Sequence, residues 1–230
     1  MTSRALLLTV VAVFVTLALV IASGPALEGQ EARGKAALLI NLADLKEQAP
    51  ATFKVNFDTS AGPFVVEVHK EWAPIGADRF YNMVKRGFYY GNRFFRVTNL
   101  MAVFGINGDP DVAQAWITSD ARIPNDPEKG LAGSKAYPNK KGTIAFLQQN
   151  MRRSQTFINL VDNPTLDVQI TPFGQVVSGM DVVLRVYKGY GEPAPTGKGP
   201  TMTDMVGKGN AYLEKEFPNM DYIKTATIVP

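Results

Sequence analysis

Short alternating segments dominate the chain from residue 51 onward, and they constrain its fold more than any other feature of the sequence. Residues 51–72 alternate apolar and polar side chains around a turn at 59–63, which predicts a β-hairpin. Further short strands are predicted at 92–98, 101–106, 141–148, 154–162, 173–177 and 221–229. Many short strands and a returning terminal strand indicate a closed antiparallel β-barrel, a mainly β fold.

Two segments in this β-rich region have helical periodicity instead. Pro74 suits the first turn of a helix, apolar residues recur at helical spacing up to Val84, and Gly87 ends the pattern. A shorter helix is predicted over 179–189. The polar segments 107–140 and 190–210 are rich in glycine and proline and are predicted to be loops, the second with a short helix near 202–206.

The N-terminus has the features of a targeting segment. A basic start precedes an apolar run of 18 residues, Ala5–Ala22, and small residues follow it. Residues 1–23 therefore predict export to a periplasm, secretory pathway or organelle lumen, as a cleaved signal peptide or as a hydrophobic helix that anchors the protein in the membrane. Residues 24–50 are predicted to be a linker followed by a short helix over 34–50.

Composition excludes several kinds of chemistry. The chain has no cysteine, so thiol nucleophiles, disulfides and cysteine-ligated metals are excluded, and its one histidine, His69, rules out histidine-rich metal sites. No cofactor or metal is expected. The net charge of +3 is spread along the chain rather than gathered in a stripe, so nucleic acid is not an expected partner.

One charged residue stands out within a predicted strand. In the segment RFFRV, strand alternation places Phe95 and Val97 on one face and Phe94 and Arg96 on the other. A solvated surface arginine and a functional arginine are both compatible with this pattern alone.

The order of several motifs supplies the missing context. The segments NRFFRV, GTIAF, SQTFINLVDNPTLD and PFGQVVSGMDVV resemble the cyclophilin family of peptidyl-prolyl cis–trans isomerases, and the resemblance covers residues 51–229. It implies an eight-stranded antiparallel barrel capped by two α-helices, monomeric, with a groove on its outer surface that binds proline-containing segments of client proteins.

The resemblance also implies roles for individual residues. Arg96 falls at the position of the family's catalytic arginine, and Phe157 at the floor of its proline pocket. The remaining residues expected to bind substrate are Phe94, Met101, Phe104, Leu147, Gln148, Gln155, Thr165, Leu166 and Ile170.

Several of these positions depart from the family pattern. Asn99 and Leu100 replace the usual proline–glycine turn after the arginine, and Phe104 stands at the ungapped position of a glutamine that steadies it. Thr165 replaces a tryptophan and Ile170 a histidine. Loss of the glutamine is the most serious change, because a displaced catalytic group loses much of its effect.

Rotation about an X-Pro bond suits such a chain, since no bond is broken and no nucleophile is needed. The expected function is a prolyl isomerase acting on exported proteins, with Arg96 above an apolar proline pocket. The alternative is a cyclophilin-like module or chaperone that binds proline-containing segments with little turnover, as the altered groove indicates.

Overall fold

The computed structural model describes residues 41–126, 137–147 and 152–229. These residues belong to one compact unit, Leu39–Pro230. The predicted targeting segment 1–23 and residues 34–40 of the predicted 34–50 helix lie outside the described residues. Where that helix is described, it is a single 3₁₀ turn, Leu42–Asp44. No helix in the described ranges is long and apolar enough to cross a membrane.

Eight antiparallel strands form one sheet, in the order β3-β4-β6-β5-β7-β2-β1-β8. The strands are β1 Thr52–Thr59, β2 Gly62–His69, β3 Arg96–Val97, β4 Met101–Phe104, β5 Thr143–Phe146, β6 Thr156–Asn159, β7 Gly174–Ser178 and β8 Ile223–Val229. The predicted hairpin is β1–β2, which pairs in register from Thr52–His69 to Thr59–Gly62.

The sheet curves so that its edge strands approach each other. An isolated bridge joins Arg93, just before β3, to Tyr222, just before β8. Backbone hydrogen bonds of 2.8–2.9 Å flank it, including one from the Phe94 N–H to the Asp221 carbonyl. The predicted eight-stranded antiparallel sheet is confirmed, whereas a ladder between β3 and β8 that would complete a closed barrel is not seen in the described residues.

In the described ranges, four α-helices accompany the sheet: α1 Pro74–Lys85, α2 Pro110–Trp116, α3 Met180–Arg185 and α4 Met202–Glu216. The predicted helices correspond to α1, α3 and, near 202–206, the start of α4, whereas α2 and the rest of α4 were not predicted, so the expectation of two capping helices was incomplete. Helix α2 begins where the Asp109 side chain accepts hydrogen bonds from two backbone N–H groups. Helix α4 is bent at Gly209, whose φ of 60° and ψ of −156° suit glycine alone. Its glycines limited the predicted helix in this segment to residues near 202–206.

Aromatic side chains fill the concave side of the sheet. Phe57 and Phe64 stack with ring centroids 4.8 Å apart, and Phe57 also contacts Tyr89 and Phe104. Phe80 on α1 joins this group. All five side chains are fully buried, and their contacts fix the inward face of each strand.

A second apolar group covers the convex side of β4, β5 and β6. It is called the outer cluster here and consists of Phe95, Met101, Val103, Ala145, Phe157, Met205, Leu213 and Met220. Helix α4 contributes Met205 and Leu213, so this face of the sheet is buried as well. The candidate site lies at the edge of the outer cluster, beside Arg96.

Candidate active site

Strand register places the two principal predicted residues in one row. Arg96 on β3 pairs with Val103 on β4, and Val103 pairs with Phe157 on β6. Directly paired residues project from the same face of a sheet, so Arg96 and Phe157 lie on one face with Val103 between them. With strands about 4.8 Å apart, their Cα atoms lie roughly 10 Å from each other. That separation is suitable for gripping one peptide residue between them.

The Arg96 guanidinium lies at the surface in a defined orientation. Its side chain is 27% exposed, and it donates two hydrogen bonds to Glu192, from Nε to Oε2 at 2.6 Å and from Nη2 to Oε1 at 2.9 Å. Its third nitrogen, Nη1, lies 3.9 Å from the Met101 sulfur, at the rim of the outer cluster. The cation therefore borders an apolar surface.

Five of the predicted substrate-binding residues meet at this surface. Phe157 is fully buried and Met101 nearly so, and both belong to the outer cluster. Leu147, Leu166 and Ile170 are half-buried and pack against the cluster. Apolar side chains of this kind form the walls that bind an apolar ring such as that of proline.

Two predicted site residues are on the wrong side of the sheet. The rings of Phe94 and Phe104 contact each other with centroids 5.3 Å apart, inside the concave aromatic core. Phe104 is separated from Met101 by an odd number of positions, so the two point to opposite faces of β4. Phe94 lies before the regular β3 ladder, so it does not have to share a face with Arg96. Phe95, rather than Phe94, joins the outer cluster.

Val103 is the residue that the sequence interpretation missed. It stands opposite Arg96, where the ungapped comparison had suggested Phe104. Alternation from an outward Met101 would have identified it, because Met101 and Val103 are two positions apart. Glu192 was also missed, since it lies in a segment predicted to be a loop without a role.

A cleft of about 390 Å³ adjoins the apolar surface. Leu147 and the half-buried Gln155 line it together with Ile106 and Ser154, so the predicted Gln155 lies next to the site. Arg153 lines the same cleft, and partial burial with repulsion from Arg122 lowers the pKa of its guanidinium. Gln148 lies outside the described residues.

Thr165, which replaces the family's tryptophan, does not form a wall of the pocket. Thr165 is exposed, and its hydroxyl donates to the Asn163 side chain at 3.0 Å. The pocket is therefore open on this side compared with a site that carries an indole ring there.

A buried ion pair supports the chain that leads into the site. Arg152 donates from Nη1 to Asp126 Oδ2 at 2.6 Å, and the two side chains are 7% and 0% exposed. Asp126 also accepts hydrogen bonds from the backbone N–H groups of Ile75 and Gly76 at the start of α1. This pair anchors the segment just before β6 to the first turn of α1.

Comparison with known proteins accounts for this arrangement. Residues 54–206 match the model of the family described as cyclophilin type peptidyl-prolyl cis-trans isomerase/CLD. The chain belongs to this family. The cyclophilin shares 31% identity over 150 residues with a peptidyl-prolyl cis-trans isomerase of Acinetobacter baylyi, covering 62% of this chain and 76% of the relative. It shares 34% identity over 134 residues with one from Schizosaccharomyces pombe, covering 57% of this chain and 83% of the relative.

A solved structure supports the same fold assignment. A Cryptosporidium parvum cyclophilin type peptidyl-prolyl cis-trans isomerase, determined in the presence of the dipeptide Ala-Pro, matches with a TM-score of 0.55 at 16% identity. The match covers 77% of this chain and 99% of that protein. The cyclophilin described here thus has the fold of that protein, and its connection between α3 and β8 includes α4.

Proposed function

We propose that this cyclophilin is a peptidyl-prolyl cis–trans isomerase in which Arg96 is the catalytic residue and an apolar surface backed by Met101 and Phe157 holds the proline ring. The observation that carries the proposal is the fixed guanidinium of Arg96, whose Nη1 borders Met101 in the same row of the sheet as Phe157. Leu147, Leu166 and Ile170 complete the apolar surface.

The chemistry follows from the electronic structure of the amide. Delocalisation of the nitrogen lone pair gives the bond a rotational barrier of about 18–20 kcal/mol. A donor placed against the prolyl nitrogen keeps that lone pair out of conjugation, so the twisted amide is bound better than either planar isomer. Arg96 can donate to that nitrogen from the planar fork of its guanidinium. Stronger binding of the twisted state is what lowers the barrier.

Proline-containing peptides are the proposed substrates. The relatives from Acinetobacter baylyi and Schizosaccharomyces pombe are named as peptidyl-prolyl cis-trans isomerases, and the Cryptosporidium parvum structure was determined with Ala-Pro. An apolar surface next to the Arg96 cation fits a proline ring and the carbonyl group that precedes it. The same match supports closure of the sheet into a complete barrel through residues 91–94 and 221–223.

Export is the proposed setting of this activity. The apolar run Ala5–Ala22 after a basic start supports it, with the run either cleaved or kept as a membrane anchor. Clients would then be proteins that fold outside the cytoplasm, and the isomerase domain would act as a monomer.

One observation favours a second function, a binding module with little turnover. The residue opposite Arg96 is the apolar Val103, which has no group to steady a guanidinium. A module of this kind would hold proline-containing segments without accelerating their rotation.

Magnetisation exchange in an Ala-Pro peptide distinguishes the two functions. The isomerase proposal predicts that the wild-type protein accelerates cis–trans exchange of the peptide and that Arg96→Ala removes this acceleration. Peptide titration by chemical shift supplies the affinity of both proteins. If both bind the peptide and neither raises its exchange rate above that in buffer, the binding module is the correct function.

A further inference from the structure

The connection between α3 and β8 places Glu192 on the guanidinium of Arg96. Resting on the proposed isomerase function, we propose that Glu192 is a positioning residue, which holds Arg96 in the orientation needed for catalysis. In this role Glu192 replaces the glutamine that the sequence lacks near Arg96.

Arg96 needs such a partner because its immediate neighbours cannot orient it. Val103, directly opposite on β4, has an apolar side chain. Met101 offers a thioether sulfur 3.9 Å from Nη1, which is a weak acceptor. In the part of the chain that the structure describes, Glu192 supplies the remaining hydrogen bonds of the Arg96 side chain.

The geometry of the pair is suited to orientation. Two parallel hydrogen bonds of 2.6 and 2.9 Å join Nε and Nη2 to the two carboxylate oxygens. Such a fork fixes the plane of the guanidinium as well as its position, unlike contact with a single acceptor. Because Nε and Nη2 are engaged, Nη1 is left at the apolar surface next to Met101 to meet a prolyl nitrogen.

The loop that carries Glu192 is built tightly enough to hold the carboxylate in place. The Glu192 carbonyl accepts a hydrogen bond from the Gly199 N–H at 2.9 Å, and the Tyr190 carbonyl accepts one from the Lys198 N–H at 3.0 Å. Pro193 and Gly199 form an isolated β-bridge. These contacts fold residues 190–199 back on themselves.

Two glycines allow this loop to pack against itself and against β3. A Cβ atom on Gly197 would collide with the Glu192 carbonyl and lie 2.8 Å from its backbone nitrogen. A Cβ atom on Gly199 would lie 3.0 Å from the Glu192 carbonyl and 3.4 Å from that of Phe95, the residue before Arg96. Tyr190 also packs against the outer cluster. The loop therefore rests on the same elements that form the site.

The proposal predicts a change in catalysis without a matching change in peptide affinity. Glu192→Ala should lower kcat on the order of a hundredfold, the loss expected when a catalytic group is misplaced by about 1 Å. The KM for the peptide should change little, since Glu192 orients Arg96 and does not line the apolar surface. Glu192→Gln should lose less, because its amide oxygen still accepts one of the two hydrogen bonds.

A double-mutant cycle separates positioning from a general structural role. In the Arg96→Lys background, Glu192→Ala should lower kcat by a smaller factor than it does in the wild type, since the two residues act as one unit. The Nε–H resonance of Arg96 in a ¹⁵N spectrum should move and broaden in Glu192→Ala. Asp181→Ala is the matched control, because it breaks another carboxylate–arginine pair, with Arg185, on the exposed surface of α3.

The outcomes are distinct from those of the proposed function. If the wild type does not accelerate exchange, the isomerase function itself is wrong. If the wild type is active and both Glu192 variants match it, Glu192 does not position Arg96. A variant faster than the wild type would also overturn the proposal, since it would show that Glu192 restrains Arg96. Thermal unfolding of each variant identifies any loss of activity that comes from unfolding.

Discussion

Val103 stands directly opposite Arg96 in the β3–β4 ladder and pairs on its other side with Phe157. The proposed catalytic arginine and the proposed floor of the proline site are thus joined through the rungs of one sheet rather than through loops. A sheet holds such a spacing more firmly than a loop does. The remaining freedom lies in the arginine side chain, which Glu192 restrains.

The apolar surface is tested most simply at a residue that is only half-buried. Leu166→Ala removes apolar area from the proposed proline site and should weaken peptide binding by about 1 kcal/mol, or about fivefold. The measurement is a peptide titration followed by chemical shift. Val168→Ala is the control, because Val168 is 77% exposed in the same segment and should leave the affinity unchanged. Equal affinity of Leu166→Ala and wild type for the peptide would show that the peptide does not bind at this surface.

Gly197 offers an independent test of the loop that carries Glu192. Gly197→Ala introduces a Cβ atom into the Glu192 backbone, so the carboxylate should shift and kcat should fall at least tenfold, with folding retained. Gly207→Ala in α4 is the matched control, since a Cβ atom there meets nothing within 4 Å. The exchange assay and a thermal unfolding curve are run on both. Unchanged kcat in Gly197→Ala would show that the loop tolerates displacement.

The buried ion pair should be important for stability. Asp126→Ala leaves the Arg152 guanidinium buried without its carboxylate and removes an acceptor for two backbone N–H groups of α1. The free energy of unfolding should fall by about 3–5 kcal/mol. Denaturant unfolding provides the measurement. The exposed pair between Asp181 and Arg185 is the comparison, and Asp181→Ala should change the unfolding midpoint very little.

Tyr89 should make stability depend on pH in the alkaline range. Its hydroxyl is fully buried and 3.2 Å from the Thr156 hydroxyl, and burial raises the pKa of the Tyr89 phenol above its ordinary value of 10.0. Above pH 10 the unfolded chain therefore loses a proton that the folded chain keeps, so stability falls as pH rises.

Tyr89→Phe isolates this effect. At neutral pH the substitution should destabilise the protein by about 1 kcal/mol through loss of the hydrogen bond. As the pH rises above 10, the free energy of unfolding should fall more steeply for the wild type than for the variant, because the phenylalanine variant has no phenol to ionise. The difference in unfolding free energy between the two proteins should therefore narrow. Unfolding curves at pH 7 and in the alkaline range measure it. A difference that widens with pH would contradict the burial of Tyr89 as the cause.

The sequence predicted the parts of the fold that depend on local pattern. The β1–β2 hairpin follows from alternation, and α1 follows from Pro74, helical spacing and Gly87. Helix α4 was predicted only near 202–206, because Gly207 and Gly209 weaken the helical propensity of the residues that follow. Its apolar residues Met205 and Leu213 gain stability only when they pack on the outer cluster. That contact is tertiary and leaves no local signal.

The same distinction between local sequence pattern and tertiary contact applies to the candidate site. Arg96 and Phe157 were identified because they lie in motifs, and their strands then carry them into one row. Phe104 was misplaced because an ungapped comparison ignored the alternation that sets Met101 and Val103 on the outer face. Glu192 was missed because it lies 96 positions from Arg96 in the chain. Only the folded connection brings the two together.

The most direct test of the account is the exchange rate of a saturating X-Pro peptide with wild type, Arg96→Lys and Arg96→Ala. Lysine keeps the charge but lacks the planar fork that binds Glu192 while donating to the substrate. The account predicts a rate at least tenfold lower for Arg96→Lys and the buffer rate for Arg96→Ala. An Arg96→Ala protein that turns the peptide over as fast as the wild type would contradict it.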